Sequence, residues 1–414
     1  MEFRNHKKTL QNYTWKFIFS PLLLFNFYSI AQTDTVRPHR DVANSYDIRK
    51  DLIDVYNSVF KRNAIGRSDT VKKTTNKVHT SFIPSPGYSI QTGFNISITN
   101  NNAFYLSKNS NISSILLVVA YTEFNQILIP MQSNIFTKNN SWDFLGDWRY
   151  LKFPIPTYGL GNQSKNSDAL PLNYDYLRIS ELALKKIDKH LYAGGGYNLN
   201  YHWNITQGGN RPSFYDNYGY KPSSISSGIA LCIQYDSREN SLNPGKAAYF
   251  NATYCNNNSY LGSNSNYSSL VIDARKYINF PKGTRNILAL WNYDWLTLNG
   301  IPPYLDLPST GWDTYSNTGR GYAQGRFRGM SMIDFEAEYR LRLVTSGLIG
   351  MVFFGNLQSY STRPNIYQFN ALIPGGGVGL RIKFNKFSNI NASIDYGFGV
   401  GGSNGVFFNL GEVF

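Results

Sequence analysis

The sequence predicts an all-β protein: a transmembrane antiparallel β-barrel of about sixteen strands, with an inward-folded long loop and a short N-terminal periplasmic helix. Three observations carry that reading. The 414 residues include 31 Tyr, 27 Phe and 35 Gly, only 16% are charged, and mean hydropathy is −0.34. Such aromatic richness excludes a disordered chain, and there is no series of apolar runs of about 20 residues to mark a helical membrane protein. Beyond His79, apolar and polar residues alternate with a period of two. Finally, the sequence closes on an apolar, aromatic strand, where termini ordinarily fray unless they are tied down.

Taken in order, residues 1–31 read as a secretory signal. Arg4, Lys7, Lys8 and Lys16 give a basic start, and Phe17 to Ile30 form a short apolar core broken by Pro21 and Asn26. Small residues at Ser29 and Ala31 place cleavage before Gln32, with no cysteine nearby for lipidation. Residues 32–78 are polar and basic and hold one amphipathic helix. Ile48, Leu52, Val55, Tyr56, Val59 and Phe60 share a face, with Asp47, Asp51 and Asp54 early and Lys61 and Arg62 late. Asn44 or Ser45 is the expected cap and Gly66 the expected stop. This helix packs on the periplasmic end of the barrel, or serves as a plug or docking peptide.

Residues 79–414 form the barrel. Leu270, Ile272, Ala274 and Ile278 oppose Asp273, Arg275 and Tyr277. Ile287, Ala289, Trp291, Tyr293 and Trp295 oppose Asn292 and Asp294. The clearest strand runs from Ser331 to Leu343. There Ile333, Phe335, Ala337, Tyr339, Leu341 and Leu343 alternate with Met332, Asp334, Glu336, Glu338, Arg340 and Arg342. Val378, Leu380, Ile382 and Phe384 then oppose Arg381 and Lys383, and Ile390 to Phe398 alternate with Asn391, Ser393 and Asp395. Gly, Asn, Ser and Pro clusters between them read as turns. A soluble sandwich would put the polar face in solvent; a membrane barrel puts lipid outside and water inside. Residues 299–330 interrupt the pattern with a long Gly/Pro/Tyr-rich loop, a length that is usually functional or disordered. The last strand, Gly405 to Phe414, carries Phe408, Leu410 and Phe414 on one face. A closed barrel must pair it with the first strand, which requires order to its final residue.

The formal net charge is +14. An export signal, and the absence of a compact Lys/Arg run between aromatic motifs, argue against nucleic acid. Arg and Lys instead line a polar bore or meet anionic lipid headgroups. Cys232 and Cys255 either pair across adjacent strands or face the bore as two free thiols. His39, His79, His190 and His202 fall in no Ser/His/Asp or metal-ligand spacing, so neither an enzyme, a metal nor another cofactor is expected.

The long loop is where the sequence becomes specific. Gly319-Arg320-Gly321-Tyr322-Ala323-Gln324-Gly325-Arg326, followed by the strand bearing Glu338, resembles the BamA/TamA family (bacterial surface antigen family) of outer-membrane barrels. That family carries an Arg-Gly-aromatic motif on a loop folded into the lumen. Asp236-Ser237-Arg238-Glu239-Asn240 with Pro244 resembles its turn motif, and Asp273 to Tyr277 resembles a recurrent strand. The ending Phe408-Asn409-Leu410-Gly411-Glu412-Val413-Phe414 is similar to the terminal strand that directs such barrels to the assembly machinery. The resemblance covers residues 79–414, and the strand count places the loop between the eleventh and twelfth strands, where that family has it. It implies that Arg320 is held by a wall carboxylate, for which Glu338 is the candidate, while Gly319 and Gly321 let the backbone approach the wall. A guanidinium in the bore needs such an acceptor, because unpaired burial costs several kcal/mol; an Arg320 meeting solvent on an external loop is the alternative. Two departures stand out. Asn356 takes the place of a second acidic residue found in many members, and residues 32–78 are too short for POTRA domains.

The implied function is an outer-membrane barrel of the assembly or translocation type, which inserts or exports proteins at that membrane. Its partners would be outer-membrane lipid, the barrel-assembly machinery for its own insertion and client outer-membrane proteins. The alternative is a passive or loop-plugged pore, or a scaffold subunit, on the same fold.

Overall fold

The computed structural model describes residues 50–52, 54–55, 78–89, 92–111, 113–208, 218–219, 221–238, 240, 243–314, 316–363, 369, 371–385, 389–410 and 412–414. The signal reading of 1–31, the helix positions Ile48, Tyr56, Val59 and Phe60, and Glu239 and Gly411 of the two motifs lie outside these residues.

Seventeen strands follow in chain order: β1 (His79–Ser89), β2 (Gly93–Phe104), β3 (Ser113–Thr122), β4 (Ile127–Phe136), β5 (Trp142–Lys152) and β6 (Ile155–Thr157). Next come β7 (Leu170–Lys186), β8 (Leu191–Gln207), β9 (Ser224–Asp236), β10 (Ala247–Asn257), β11 (Tyr267–Asn279) and β12 (Ile287–Gly300). The last five are β13 (Ser331–Arg342), β14 (Ile349–Ser361), β15 (Ile373–Asn385), β16 (Ile390–Gly399) and β17 (Asn404–Leu410). Each pairs antiparallel with its neighbours. The three-residue β6 continues β5 along β7, so the wall has sixteen positions. By that count the long loop leaves the eleventh wall strand, β12, and enters the twelfth, β13. Strands β1 and β17 lie side by side, with Cα atoms within 8 Å, but among the described residues no hydrogen-bonded ladder joins them.

The pleat explains the wall. On β13, Asp334, Glu336 and Glu338 are 1%, 0% and 0% exposed, while Phe335 between them is 45% exposed. On β9, Ala230 and Cys232 are buried, and Ile229, Leu231 and Ile233 face out. Phe353, Leu357, Val378, Leu380, Tyr396 and Phe398 continue the outer apolar surface. Charge inside and hydrocarbon outside is the reverse of a water-soluble core, and so wide an apolar exterior needs a nonaqueous solvent. No helix among the described residues is long and apolar enough to cross a membrane.

The caps expected at Asn44 or Ser45 and the stop expected at Gly66 lie outside the described residues. Within them, Asp51 caps the helical turn at Leu52, Asp54 and Val55: its Oδ1 accepts from Asp54 N at 2.9 Å, and Asp54 Oδ2 accepts from Asp51 N at 3.1 Å. Lys50 N donates to Ser346 O at 3.3 Å, fixing this turn to the β13–β14 connection. One local expectation is corrected: the final strand stops early. β17 ends at Leu410, and Val413 and Phe414 are 6% and 2% exposed, inside the bore. Phe414 therefore lies beyond the strand that contains Phe408 and Leu410. Cys232 and Cys255 are free thiols.

Candidate functional site

Residues 301–330 fold back into the bore as a compact, internally bonded loop. Asp313 Oδ1 accepts from Asn317 N and Thr318 N, both at 2.8 Å, and Ser309 bridges Arg328 across the loop neck. Gly321 has φ +106°, and a Cβ there would lie 2.6 Å from the Phe398 carbonyl of β16, so only glycine allows this approach to the wall. Tyr322 Oη donates to the Pro374 carbonyl and accepts from Val400 N at 2.9 Å, tying the loop to β15 and the end of β16.

Between these contacts Arg320, 4% exposed, projects onto the wall. Its Nη2 is 2.6 Å from Glu338 Oε2 and also pairs with Glu336, whose Oε1 accepts from Nε at 2.8 Å. Its Nη1 donates to Asp395 Oδ2 at 2.8 Å, and the guanidinium lies 3.7 Å from the centre of the Phe354 ring. Burial alone would lower the basicity of Arg320, but Glu336, Glu338 and Asp395 outweigh it and hold the guanidinium above its usual range. The loop is thereby clamped to both β13 and β16. Asn356 plays a different part from the expected acidic substitute: its Nδ2 donates to the Arg320 carbonyl at 2.8 Å and does not touch the guanidinium.

The other motif residues join the same interior. Arg326 donates to Asn166 Oδ1 and Ser164 Oγ, each at 2.8 Å, which pins the loop to the 158–169 connection, and Gly325 N donates to Thr310 O at 2.8 Å within the loop. Gly319 has φ +73° beside the Gln358 side chain. In the turn motif, Arg238 forms a two-bond pair with Asp236 at 2.8 and 2.9 Å, Asn240 Oδ1 accepts from Asn243 N at 3.0 Å, and Pro244 is buried.

An interior ladder then connects the two motifs. Arg238 stacks on Tyr249 at 4.0 Å, and Arg275 lies 5.4 Å from the same ring and 5.0 Å from Trp291. Trp291 donates to Asp273 at 2.9 Å and stacks on Phe414 at 5.1 Å. Arg340 donates to the Phe414 carbonyl and reaches Glu338 at 2.7 Å, which closes the path to Arg320. Glu412 pairs with Arg381 at 2.7 Å, and Asn317 of the loop donates to Val413 O at 2.6 Å. The segment after β17 is thus packed between the wall and the loop. Sequence reasoning singled out neither Glu336 nor Asp395, although both lie on the polar face of alternating strands, and that period was the available signal.

Beside the loop base lies a cavity of about 120 Å³, lined by Arg149, Arg178, Tyr176, His202, Asp306 and Trp312 among others. Ser226 Oγ donates to Asp306 at 2.6 Å, and His202 Nδ1 is 3.8 Å from that carboxylate. The serine therefore bonds the acid and not the imidazole, the wrong order for activating a nucleophile.

A sixteen-position antiparallel barrel with an arginine-bearing loop locked in its bore defines the class: a BamA-type barrel fold. No protein-family model and no curated protein matches the sequence. Solved structures do. BamA from Haemophilus ducreyi lacking POTRA domains 1–3 superposes with a TM-score of 0.54 at 12% identity, over 82% of this chain and 76% of that one. CdiB from Acinetobacter baumannii gives 0.52 at 12% identity, over 80% of this chain and 59% of the CdiB chain. At these identities the likeness is one of fold.

Proposed function

We propose that this chain is an outer-membrane barrel of the assembly or translocation type, a member of the BamA/TamA family, and that its role is non-enzymatic. The observation that carries the reading is the pairing of a plugged bore with a β1/β17 edge that has no hydrogen-bonded ladder among the described residues. Backbone groups at such an edge are costly in lipid, so a client strand gains main-chain hydrogen bonds by adding there. The Arg320 clamp meanwhile keeps the bore closed to bulk flow and ties the loop to β13 and β16. The test is insertion of an unfolded model barrel into vesicles that hold this protein: acceleration over empty vesicles supports the proposal, and no acceleration counts against it.

A loop-plugged pore is the second reading, favoured by the loop's occupation of the bore. Vesicle insertion separates it from the first reading, and planar-bilayer conductance tests the plug that both share. Low conductance that rises sharply on Arg320→Ala marks a plugged barrel, whereas large conductance unchanged by that substitution marks a plain pore.

A further inference from the structure

We infer that the end of the barrel opposite the long loop carries a collar of exposed basic side chains that binds the headgroups of anionic phospholipids. This inference rests on the membrane-spanning reading. An antiparallel meander alternates its connections between two ends, so the β2–β3, β4–β5, β7–β8, β9–β10 and β11–β12 turns fall together, away from residues 301–330. Lys108, Lys138, Lys185 and Lys189 are exposed on the first three of these turns or their flanks. Lys246, Lys276, Lys282 and Arg285 continue the collar around the next two. None of these eight has an ion-pair partner among the described residues. Among the described residues the carboxylates beside them are the exposed Asp188 and the half-buried Asp236, and Asp236 is already paired with Arg238 at 2.8 Å. The opposite end is mixed: Lys152, Lys165, Lys221 and Arg363 are interspersed with Glu123, Asp168 and Asp175.

Charge alone would fit any polyanion; the neighbouring apolar groups choose lipid. Ile187, 61% exposed, sits between Lys185 and Lys189, and Phe280, 54% exposed, sits between Lys276 and Lys282. Leu106 accompanies Lys108, and Trp142 accompanies Lys138. Four of the five turns thus offer an apolar side chain to the acyl boundary with an ammonium beside it, the arrangement by which lysine stems lie along hydrocarbon and their charge reaches phosphate. A water-soluble acidic partner would use the lysines and leave these side chains in water. The collar also accounts for part of the +14 net charge that the bore, where arginines are matched by carboxylates, does not absorb.

The test compares the wild-type chain in phosphatidylcholine vesicles with the same vesicles doped with phosphatidylglycerol, reading lipid association with headgroup-labelled phosphatidylglycerol. A collar variant (Lys185→Glu, Lys189→Glu, Lys282→Glu, Arg285→Glu) is set against an opposite-end control (Lys152→Glu, Lys165→Glu). The wild type and the control should enrich the anionic lipid, and the enrichment should fade with added salt. Each lysine near an anionic surface contributes about fivefold at low ionic strength, so the collar variant should lose well over tenfold while still inserting into phosphatidylcholine. Insertion without anionic preference, equal loss in the control, or tighter binding of soluble heparin than of the doped vesicles would overturn the inference. Failure of the wild type to enter phosphatidylcholine vesicles would instead strike the membrane reading on which it rests.

Discussion

Arg320→Ala tests the clamp most directly. The substitution removes a guanidinium that holds Glu338 at 2.6 Å and Asp395 at 2.8 Å, and it strips Glu336 of its one ion-pair partner among the described residues. Arg340 and Arg381 still serve Glu338 and Asp395, so the uncompensated charge falls on Glu336. Breaking a buried pair by deleting one partner costs about 3–5 kcal/mol, two to nearly four decades in the docked-to-released ratio of the loop. The assay is trypsin added from the loop end. Arg326 and Arg328 are 6% and 3% exposed and should resist cleavage in the wild type but become sensitive in the variant. Glu336→Gln placed on top of Arg320→Ala should restore protection in part, because it removes the orphaned charge. Arg320→Lys should behave like a partial loss, since one ammonium cannot replace a planar fork that reaches β13 and β16 together. Unchanged protection in Arg320→Ala, or full protection in Arg320→Lys, would refute the clamp.

Three further outcomes follow from the same geometry. Phe414→Ala vacates the stack on Trp291 and should lower barrel stability by about 3–5 kcal/mol, seen as earlier loss of the compact band in heat-modifiability gels and a change in tryptophan emission. Gly321→Ala forces a side chain into a left-handed backbone against the Phe398 carbonyl; a cost of about 1–3 kcal/mol should give intermediate trypsin sensitivity. Burial raises the Asp306 carboxyl from 3.8 to about 7, against the opposing pull of Ser226, Arg178 and Arg328. A carboxyl that binds its proton more tightly in the docked loop stabilises docking at low pH. That contribution should decline by at most about 1.4 kcal/mol per pH unit between about 4 and 7. Asp306→Asn should flatten the pH profile of trypsin protection; a profile as steep as the wild type's would exclude Asp306 as its source.

The inside-out wall was legible because a two-residue period survives any error in register: wherever β13 pairs, Glu336 and Glu338 share a face opposite Phe335. The same property hid the clamp's membership. Alternation puts Asp334, Glu336, Glu338 and Asp395 all in the bore, but which of them meets Arg320 depends on strand stagger and on the curvature that brings β16 toward a loop rooted before β13. None of that is local to the sequence. Asn356 shows the same limit from the other side. Its position facing the loop was readable, yet whether a short amide reaches a guanidinium or a backbone carbonyl is decided by about an ångström of loop placement. The terminal aromatic fails for a different reason. Periodicity treats residues 404–414 as one strand, because nothing in a two-residue repeat distinguishes a side chain that faces outward from one whose backbone has left the sheet. What draws Phe414 inward is the interior itself: Trp291 presents a ring, Arg340 a donor, and Arg381 a partner for Glu412. Those three belong to strands β12, β13 and β15, so the end of β17 is positioned by the bore-facing side of the strands that precede it in the wall. Loosening of the Arg320 cluster is therefore coupled, through Glu338 and Arg340, to the segment that follows the strand at the β1/β17 edge.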